Sequence, residues 1–357
     1  MSRGHRVGIA LAAIALGLSF IVTGCSGDKA LAPTAPKDYP VYFCIAGAGN
    51  WYFEYHPSTN RVDSFYVPFQ TSFGIDVSAD GTRLFIGGAN SIAVVDLDSK
   101  TIIEELPYKG DVVVSPDNRW LAVTGQDVYI LQASDYSVVL HDTMKTGWSG
   151  SFAPYSGRFY CPAYDSNGFQ DLVLTIDFQN EPVLSETAIP GGGVWNVIPS
   201  PDEGYWYLYL IDDFCVSRFQ KYSPALGTVI KEDRLLPGHG EIDISPNGRY
   251  VFYSAPGATF IPALWGCDPP KPAFFVYDTW SNRKIEITTE RIIEEPVPED
   301  MFVKEMEITP DGRWLVAIDA RWTSVVAAVD LTTMTVNKCV RLLGLRQFYS
   351  LTCQKLR

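Results

Sequence analysis

The sequence has few histidines, few basic residues and no recognisable catalytic motif. Of its 357 residues only 4 are His, and 28 Lys and Arg face 41 Asp and Glu, a net charge of −13. Nucleic-acid binding depends on neutralising phosphates with basic side chains, so this composition argues against that class of partner. The chain also lacks G-x-S-x-G, H-E-x-x-H, a glycine-rich phosphate loop and a complete calcium loop. No motif therefore assigns a reaction.

Cysteines are sparse and far apart along the chain. The nearest two, Cys339 and Cys353, are too distant for a C-x-x-C zinc or redox motif. The cysteines that follow Cys25 are even in number, which outside the cytoplasm permits several alternative disulfide pairings. The body of the chain also shows no amphipathic helix.

The N-terminal segment is typical of an export signal. Arg3 and Arg6 precede a short apolar run over residues 7–22, and Val22-Thr23-Gly24-Cys25 follows at once. A basic start, a brief apolar stretch and small residues before a cut point predict a cleaved signal peptide over residues 1–24. An uncleaved membrane anchor is the alternative, although the run is short for a spanning helix.

The motif Val22-Thr23-Gly24-Cys25 resembles the lipobox of bacterial lipoproteins. This resemblance implies cleavage before Cys25 and attachment of palmitate-type acyl chains to its sulfur and amino group. Ser26 stands where inner-membrane retention usually requires Asp, so we expect sorting to the outer membrane. Several acyl chains give stable anchoring, and residues 25–38 would form the lipidated, flexible tether.

From residue 38 onward one pattern recurs: a short alternating strand, a tight turn and a second strand rich in β-branched and aromatic residues. A third strand often ends in Asp, and a fourth ends near a proline, which cannot donate to a sheet ladder. The turn residues Pro, Asp, Asn and Gly are those of tight hairpins. The turns are Ser78-Ala79-Asp80-Gly81, Ser115-Pro116-Asp117-Asn118, Ser200-Pro201-Asp202-Glu203-Gly204, Ser245-Pro246-Asn247-Gly248 and Thr309-Pro310-Asp311-Gly312, with Ala153-Pro154-Tyr155-Ser156-Gly157 as a degenerate copy.

Four short strands per unit predict an all-β protein, a seven-bladed β-propeller over residues 39–357. Six full units begin near Phe73, Asp111, Trp148, Val194, Glu241 and Lys304. Residues 41–67 hold three strands without a first, and residues 347–353 hold a first strand without followers. We therefore expect the ring of four-stranded antiparallel blades to close by pairing the C-terminal strand with the N-terminal strands. Cys44 and Cys353 would lie on adjacent strands there, and we predict a disulfide between them.

The Ser-Pro-Asp-Gly-Arg turns, the strand-final Asp and the proline before the next unit resemble the YVTN-type, lactonase-like β-propeller superfamily. The resemblance covers nearly the whole body of the chain. It implies the fold, but the superfamily includes lactonases, lyases and binding proteins, so it does not choose among activities.

The first strand of each unit carries polar side chains two and four residues before its turn. Period-two alternation predicts that this face is wet and the other packed. If it points into the central channel, several carboxylates share a confined space. The candidate channel residues are Asp76, Asp111, Asn196, Glu241, Asp243, Glu305 and Glu307, joined by Ser149 and Ser151.

Like charges held close oppose each other's ionisation, and a cation relieves that repulsion. The channel is therefore a candidate site for a basic ligand or a divalent cation such as Ca²⁺, which oxygen ligands favour over zinc. The alternative is a hydrated acidic channel without a specific occupant. No other cofactor is predicted.

Two hypotheses about function follow. The first is a non-enzymatic binding or scaffolding module in the bacterial cell envelope, lipid-anchored and monomeric, whose partners are the membrane and an envelope protein or extracellular ligand. The insertion at residues 255–272 is a candidate contact loop. The alternative is a lactonase- or lyase-like enzyme that uses the channel carboxylates, with His239 beside Glu241 as a general base. An aromatic lip of Phe73, Trp148 and Trp195 could hold a ligand, but packing between blades is favoured because large aromatic rings mostly supply core area.

Overall fold

The fold is described from a computed structural model covering residues 38–45, 50–143, 146, 150–164, 171–179, 181–191, 193–213, 216–235, 240–255, 273–287, 303–319, 325–341 and 348–353. These residues form seven four-stranded antiparallel sheets arranged as the blades of a β-propeller. We call the sheet that joins the two ends of the described chain the closing blade, and number the others 1 to 6 in chain order. No helix long and apolar enough to cross a membrane occurs in the described part of the chain.

Each blade is a meander of four strands. The closing blade contains β1 (Val41–Ile45), β2 (Trp51–His56), β3 (Arg61–Tyr66) and the C-terminal β28 (Phe348–Cys353); blade 1 contains β4 (Ile75–Val77), β5 (Arg83–Gly87), β6 (Ile92–Asp96) and β7 (Thr101–Leu106); blade 2 contains β8 (Asp111–Val114), β9 (Trp120–Thr124), β10 (Val128–Gln132) and β11 (Val138–Asp142); blade 3 contains β12 (Ser151–Phe152), β13 (Phe159–Ala163), β14 (Leu172–Asp177) and β15 (Val183–Ala188). Blade 4 contains β16 (Val194–Pro199), β17 (Trp206–Asp213), β18 (Val216–Ser223) and β19 (Thr228–Leu235); blade 5 contains β20 (Ile242–Ile244), β21 (Tyr250–Ala255), β22 (Ala273–Asp278) and β23 (Arg283–Ile287); blade 6 contains β24 (Val303–Ile308), β25 (Trp314–Asp319), β26 (Val325–Asp330) and β27 (Thr335–Arg341).

The repeated turn between the first two strands is held by its own side chains. In blade 1 the Ser78 hydroxyl donates to Asp80 at 2.6 Å and accepts the Arg83 N–H at 2.9 Å. Each bond satisfies a polar group that the tight turn would otherwise leave unpaired. The same hydroxyl-to-acceptor pair recurs at Ser115–Asp117, Ser200–Asp202, Ser245–Asn247 and Thr309–Asp311.

Apolar side chains pack between neighbouring blades, and one buried cluster lies at each junction of the ring among the described residues. Phe252 and Val276 of blade 5, for example, pack against Met306 and Leu315 of blade 6. Equivalent clusters lie at the remaining junctions. The buried apolar core is therefore divided among the junctions between neighbouring blades, and the stability of the fold depends on the packing at these junctions.

The C-terminal strand closes the ring as the sequence predicts. β28 pairs antiparallel with β1, and their register places Val41 opposite Cys353 and Cys44 opposite Ser350. The first strands contact one another in the order β28, β4, β8, β12, β16, β20, β24 and back to β28. The prediction of a closed, seven-bladed propeller is confirmed.

The same register contradicts the predicted Cys44–Cys353 disulfide. The two cysteines are offset by the three positions that separate Val41 from Cys44 in the pairing. At about 3.4 Å per residue their Cα atoms lie about 10 Å apart along the ladder, whereas a disulfide requires less than about 7 Å. Cys44 is a buried thiol. The pairing of strands was predicted correctly, but the register decides which side chains meet.

Candidate functional site

The predicted channel carboxylate Asp76 is buried and bridges two blades. Its side chain accepts the Val77 N–H at 2.9 Å and, with its second oxygen, the Val114 N–H of blade 2 at 2.7 Å. Asp76 is only 3% exposed. The expectation of a wet channel face is therefore wrong at this residue, because the carboxylate is directed at a backbone amide of the next blade.

Asp243 makes the same arrangement at the junction between blades 5 and 6. One carboxylate oxygen accepts the Ile244 N–H at 2.7 Å, and the other accepts the Ile308 N–H at 2.7 Å. Asp76 and Asp243 stand at the same position of their repeats, two residues before the turn hydroxyl. We call these two bridges the acid latches. Charge-assisted bonds of this kind are stronger than neutral ones.

The junction between blades 3 and 4 uses a different bond at the equivalent place. Ser151 occupies the latch position in blade 3, and its hydroxyl donates to the Val197 carbonyl at 2.8 Å. In blade 4 the residue equivalent to Val114 and Ile308 is Pro199, which has no N–H to donate. A carboxylate would have no amide to accept there, and a hydroxyl instead serves a carbonyl.

Other predicted channel residues also link blades or bond to the backbone. The Asn196 side-chain amide in blade 4 donates to Glu241 of blade 5 at 2.8 Å, and Asn196 is buried. Asp111 accepts the N–H of Val112 at 2.9 Å. The Asp111 carboxylate also lies against Gly74 so closely that a Cβ on that glycine would collide with it.

The structure describes only some of the remaining predicted site residues. Glu307 is partly buried in β24, whereas Trp148, Ser149, His239 and the side chain of Glu305 lie outside the described residues. The predicted pairing of His239 with Glu241 therefore stays a prediction. Within the described part of the chain, no group of three or more His, Cys, Asp or Glu is arranged to hold a metal ion. Of the proposed aromatic lip, Trp195 packs partly buried against the cluster between blades 4 and 5.

A cleft between blades 3 and 4 was not anticipated from the sequence. It has a volume of about 520 Å³ and is lined on one side by Arg158, Tyr160 and Thr175 of blade 3. On the other side it is lined by Glu203 and Trp206 of blade 4. Small-molecule sites occupy clefts of about 300 to 1,000 Å³, so this cleft has the size of a binding site.

A charged network crosses the wall of the cleft. The Arg158 guanidinium donates to Asp177 of its own blade at 2.7 Å and lies 3.3 Å from the Glu203 carboxylate of blade 4. The Tyr160 hydroxyl also donates to Glu203, at 2.5 Å. Burial raises the pKa of Tyr160 and the bond to Glu203 raises it further, so the phenol stays protonated as a donor.

Hydrogen bonds shift the pKa of Arg158 and of Asp177 toward the charged form of each group. The hydrogen bond to Asp177 raises the pKa of Arg158. Burial opposes ionisation of Asp177, but the Gln179 N–H and the Arg158 guanidinium hold the pKa of that carboxyl below its usual range. The Arg158 guanidinium therefore lies between the side chains of Asp177 and Glu203.

Glu203 has a backbone conformation that its side chain does not favour. Its φ is 54°, in the left-handed region, where the equivalent turn position is Gly81, Asn118, Gly248 or Gly312. This conformation costs about 1 kcal/mol for a residue with a branched or long side chain. A glutamate where the repeat otherwise has Gly or Asn is the one sequence signal that could have located the cleft.

Comparisons with known proteins support the fold and leave the activity open. Neither a protein-family model nor a curated protein sequence matches this chain. Among solved structures, a candidate 6-phosphogluconolactonase from Bacteroides uniformis is 14% identical, with a TM-score of 0.59 over 88% of this chain and 99% of that one. Hydrazine synthase from Kuenenia stuttgartiensis is 17% identical, with a TM-score of 0.58 over 72% of this chain and 76% of that one.

A third solved structure, the β-propeller domain of Cps50 (Swd1) from Myceliophteria thermophila, is 10% identical, with a TM-score of 0.58 over 78% of this chain and 88% of that one. At such identities the likeness establishes the fold alone. The chain is a seven-bladed β-propeller with a lactonase-like structural neighbour.

Proposed function

We propose that this protein is a lipid-anchored binding module of the bacterial cell envelope, held at the outer membrane through Cys25. The rigid propeller would present a partner-binding face, and its partner would be an envelope protein or an extracellular ligand. The observation that carries the proposal is the use of the described inner-strand carboxylates. Asp76 and Asp243 each accept two backbone amides, which suits a rigid scaffold better than a proton-transfer site.

The lactonase-like alternative has narrower support. A structural neighbour carries that description, but the neighbour's activity does not transfer at this identity. Glu241 is the described carboxylate on which the enzymatic hypothesis depends, and it already accepts a bond from Asn196. A general base needs an oxygen that can reach the substrate proton.

The anchor is tested in a Gram-negative host that produces the full chain or its Cys25→Ser variant. For the wild type we expect an N-terminus at an acylated Cys25, measured by mass spectrometry, and recovery in the membrane fraction. Cys25→Ser should be recovered without acyl groups. An intact, unacylated N-terminus on membrane-bound wild type would instead support the uncleaved anchor and contradict the lipid attachment.

Binding and catalysis are separated by assaying the purified protein with a panel of sugar and aliphatic lactones. We expect hydrolysis at the rate of buffer, for wild type and for Glu241→Gln alike. Wild-type turnover that Glu241→Gln abolishes, with an unchanged melting temperature, would overturn the non-enzymatic proposal. The unchanged melting temperature is the control that excludes a folding defect.

A further inference from the structure

We infer that the cleft between blades 3 and 4 binds a neutral, polyhydroxylated ligand, a saccharide. This inference rests on the proposed binding function and names its ligand class. Three observations support it: two buried polar atoms without partners, the acidic lining of the cleft and the glutamate at position 203.

Two side chains that line the cleft have polar atoms without a hydrogen-bond partner. The Nε1–H of Trp206 has no acceptor, and the Oγ1 of Thr175 has neither donor nor acceptor, among the described residues. Trp206 is only 4% exposed. A buried donor without a partner costs free energy that a ligand oxygen can recover. The wall of the cleft thus contains a buried donor, the Trp206 Nε1–H, that has no acceptor among the described residues.

The charge of the cleft narrows the choice of ligand. Its lining holds the acids Asp177, Glu181 and Glu203 against the single cation Arg158, and Arg158 already bonds to two of these acids. Phosphate or carboxylate ligands would meet like charge. An ammonium group would suit the acids but could not accept from Trp206. A hydroxyl group both donates and accepts hydrogen bonds, so it suits the Trp206 N–H donor as well as the carboxylate acceptors of the cleft.

The remaining wall also suits a sugar. Ser185 and Thr187 add hydroxyl groups that exchange hydrogen bonds with those of a saccharide. Val183 and Pro224 provide apolar surface for the C–H faces of a sugar ring, and Val183 is 62% exposed. Binding sites of this kind combine apolar walls with a few placed polar groups.

Glu203 makes this junction different from its equivalents. At the turn position where other blades have Gly81, Asn118, Gly248 or Gly312, blade 4 carries the carboxylate of Glu203. The Arg158 and Tyr160 bonds hold Glu203 in place, so its carboxylate forms a fixed part of the cleft wall.

The test uses saturation-transfer NMR on the purified wild type with maltose, cellobiose and chitobiose. Trialanine and arginyl-arginine serve as a neutral peptide and a cationic probe. We expect saturation transfer to at least one disaccharide and about tenfold weaker binding for Thr175→Val. Removing an unpaired buried hydroxyl should not lower the melting temperature of the free protein. Trp206→Phe provides a second variant, with weaker binding because the N–H is lost.

Thr124→Val is the matched control. Thr124 of blade 2 also has a buried hydroxyl without a partner among the described residues, but it does not line the cleft. Its replacement should leave both disaccharide affinity and melting temperature unchanged. Equal effects of Thr175→Val and Thr124→Val, binding of the peptides alone, or no binding of any disaccharide would each overturn the saccharide site. Turnover of a bound disaccharide would contradict the proposed non-enzymatic function while leaving the site in place.

Discussion

Two kinds of hydrogen bond join neighbouring blades at the latch position, two residues before the repeated turn. Between blades 1 and 2, and between blades 5 and 6, Asp76 and Asp243 each accept a backbone N–H of the next blade. Between blades 3 and 4, Ser151 donates to a carbonyl instead, because Pro199 has no N–H at the matching place. At these three junctions the side chain at the latch position matches the hydrogen-bonding group that the neighbouring blade presents.

The acidic residues in the first strands of the repeats suggest a ligand site when each blade is considered alone. When neighbouring blades are considered together, Asp76 and Asp243 each accept a backbone N–H of the next blade. The junction between blades 3 and 4, where Ser151 stands in place of an acid, is also lined by the cleft residues Glu203 and Trp206.

The largest expected effect is the loss of an acid latch. Asp76→Ala and Asp243→Ala each remove a charged acceptor and leave backbone amides unpaired, so each should lower the free energy of unfolding by about 3 kcal/mol. Urea unfolding followed by tryptophan fluorescence measures this. A loss below about 1 kcal/mol in both variants would show that the bridges contribute no more than an average neutral bond.

A carboxylate placed at the serine junction should be destabilising until an amide is provided. Ser151→Asp would face the Val197 carbonyl with a second acceptor and should cost about 2 kcal/mol. Adding Pro199→Ala supplies an N–H, and the double variant should recover at least half of that loss. A double-mutant cycle measures the coupling. If Ser151→Asp and Pro199→Ala change the free energy of unfolding additively, the proposal that Pro199 excludes an acid latch at this junction is wrong.

Removing the serine bond alone should have a smaller effect. Ser151→Ala deletes one neutral bond to the Val197 carbonyl, so a loss of about 1 kcal/mol is expected. In unfolding experiments, removing an acid latch should therefore lower the free energy of unfolding about three times as much as removing the Ser151 bond. A cost for Ser151→Ala as large as that for Asp76→Ala would remove the distinction between the junctions.

The smallest effect concerns the turns and their pH dependence. The Ser200 hydroxyl and the Gly204 N–H hold the pKa of Asp202 below its usual range. A lowered folded pKa stabilises the protein above the unfolded value of about 3.9, and that contribution is lost as the pH falls through the folded value.

Asn247 makes the equivalent bond in blade 5, with the Ser245 hydroxyl at 2.8 Å. Asp202→Asn should therefore cost less than about 1 kcal/mol near neutral pH and should reduce the loss of stability below about pH 4. Unfolding midpoints measured over this pH range give the answer. An acid dependence identical to that of the wild type would contradict the assigned role of Asp202.

The fold was predictable because its determinants are local. Each turn from Ser78-Ala79-Asp80-Gly81 onward uses residues whose side chains bond within the turn, so a single sequence reveals it. Ring closure was predictable because residues 41–67 lack a first strand and residues 347–353 supply one. The Cys44–Cys353 disulfide failed because strand register depends on packing across the sheet, which spacing does not encode.

The candidate site was predictable only in part. Alternation identified the inner-strand acids, but whether Asp76 faces water or the Val114 amide depends on the approach of another blade. The cleft arises from residues of two blades, and only the glutamate at position 203 departs visibly from the repeat. Both the surroundings of Asp76 and the position of the cleft depend on how two blades pack against each other. The pattern of a single sequence does not specify that packing residue by residue.

Residue-resolved hydrogen exchange of the Val114 and Ile308 amides tests most directly whether the inner acids hold neighbouring blades together. In the wild type both amides bond to a carboxylate of the preceding blade. Asp76→Ala should accelerate exchange at Val114 more than at Ile308, and Asp243→Ala should do the reverse. Protection of both amides unchanged in both variants, or lost equally in each, would contradict the account.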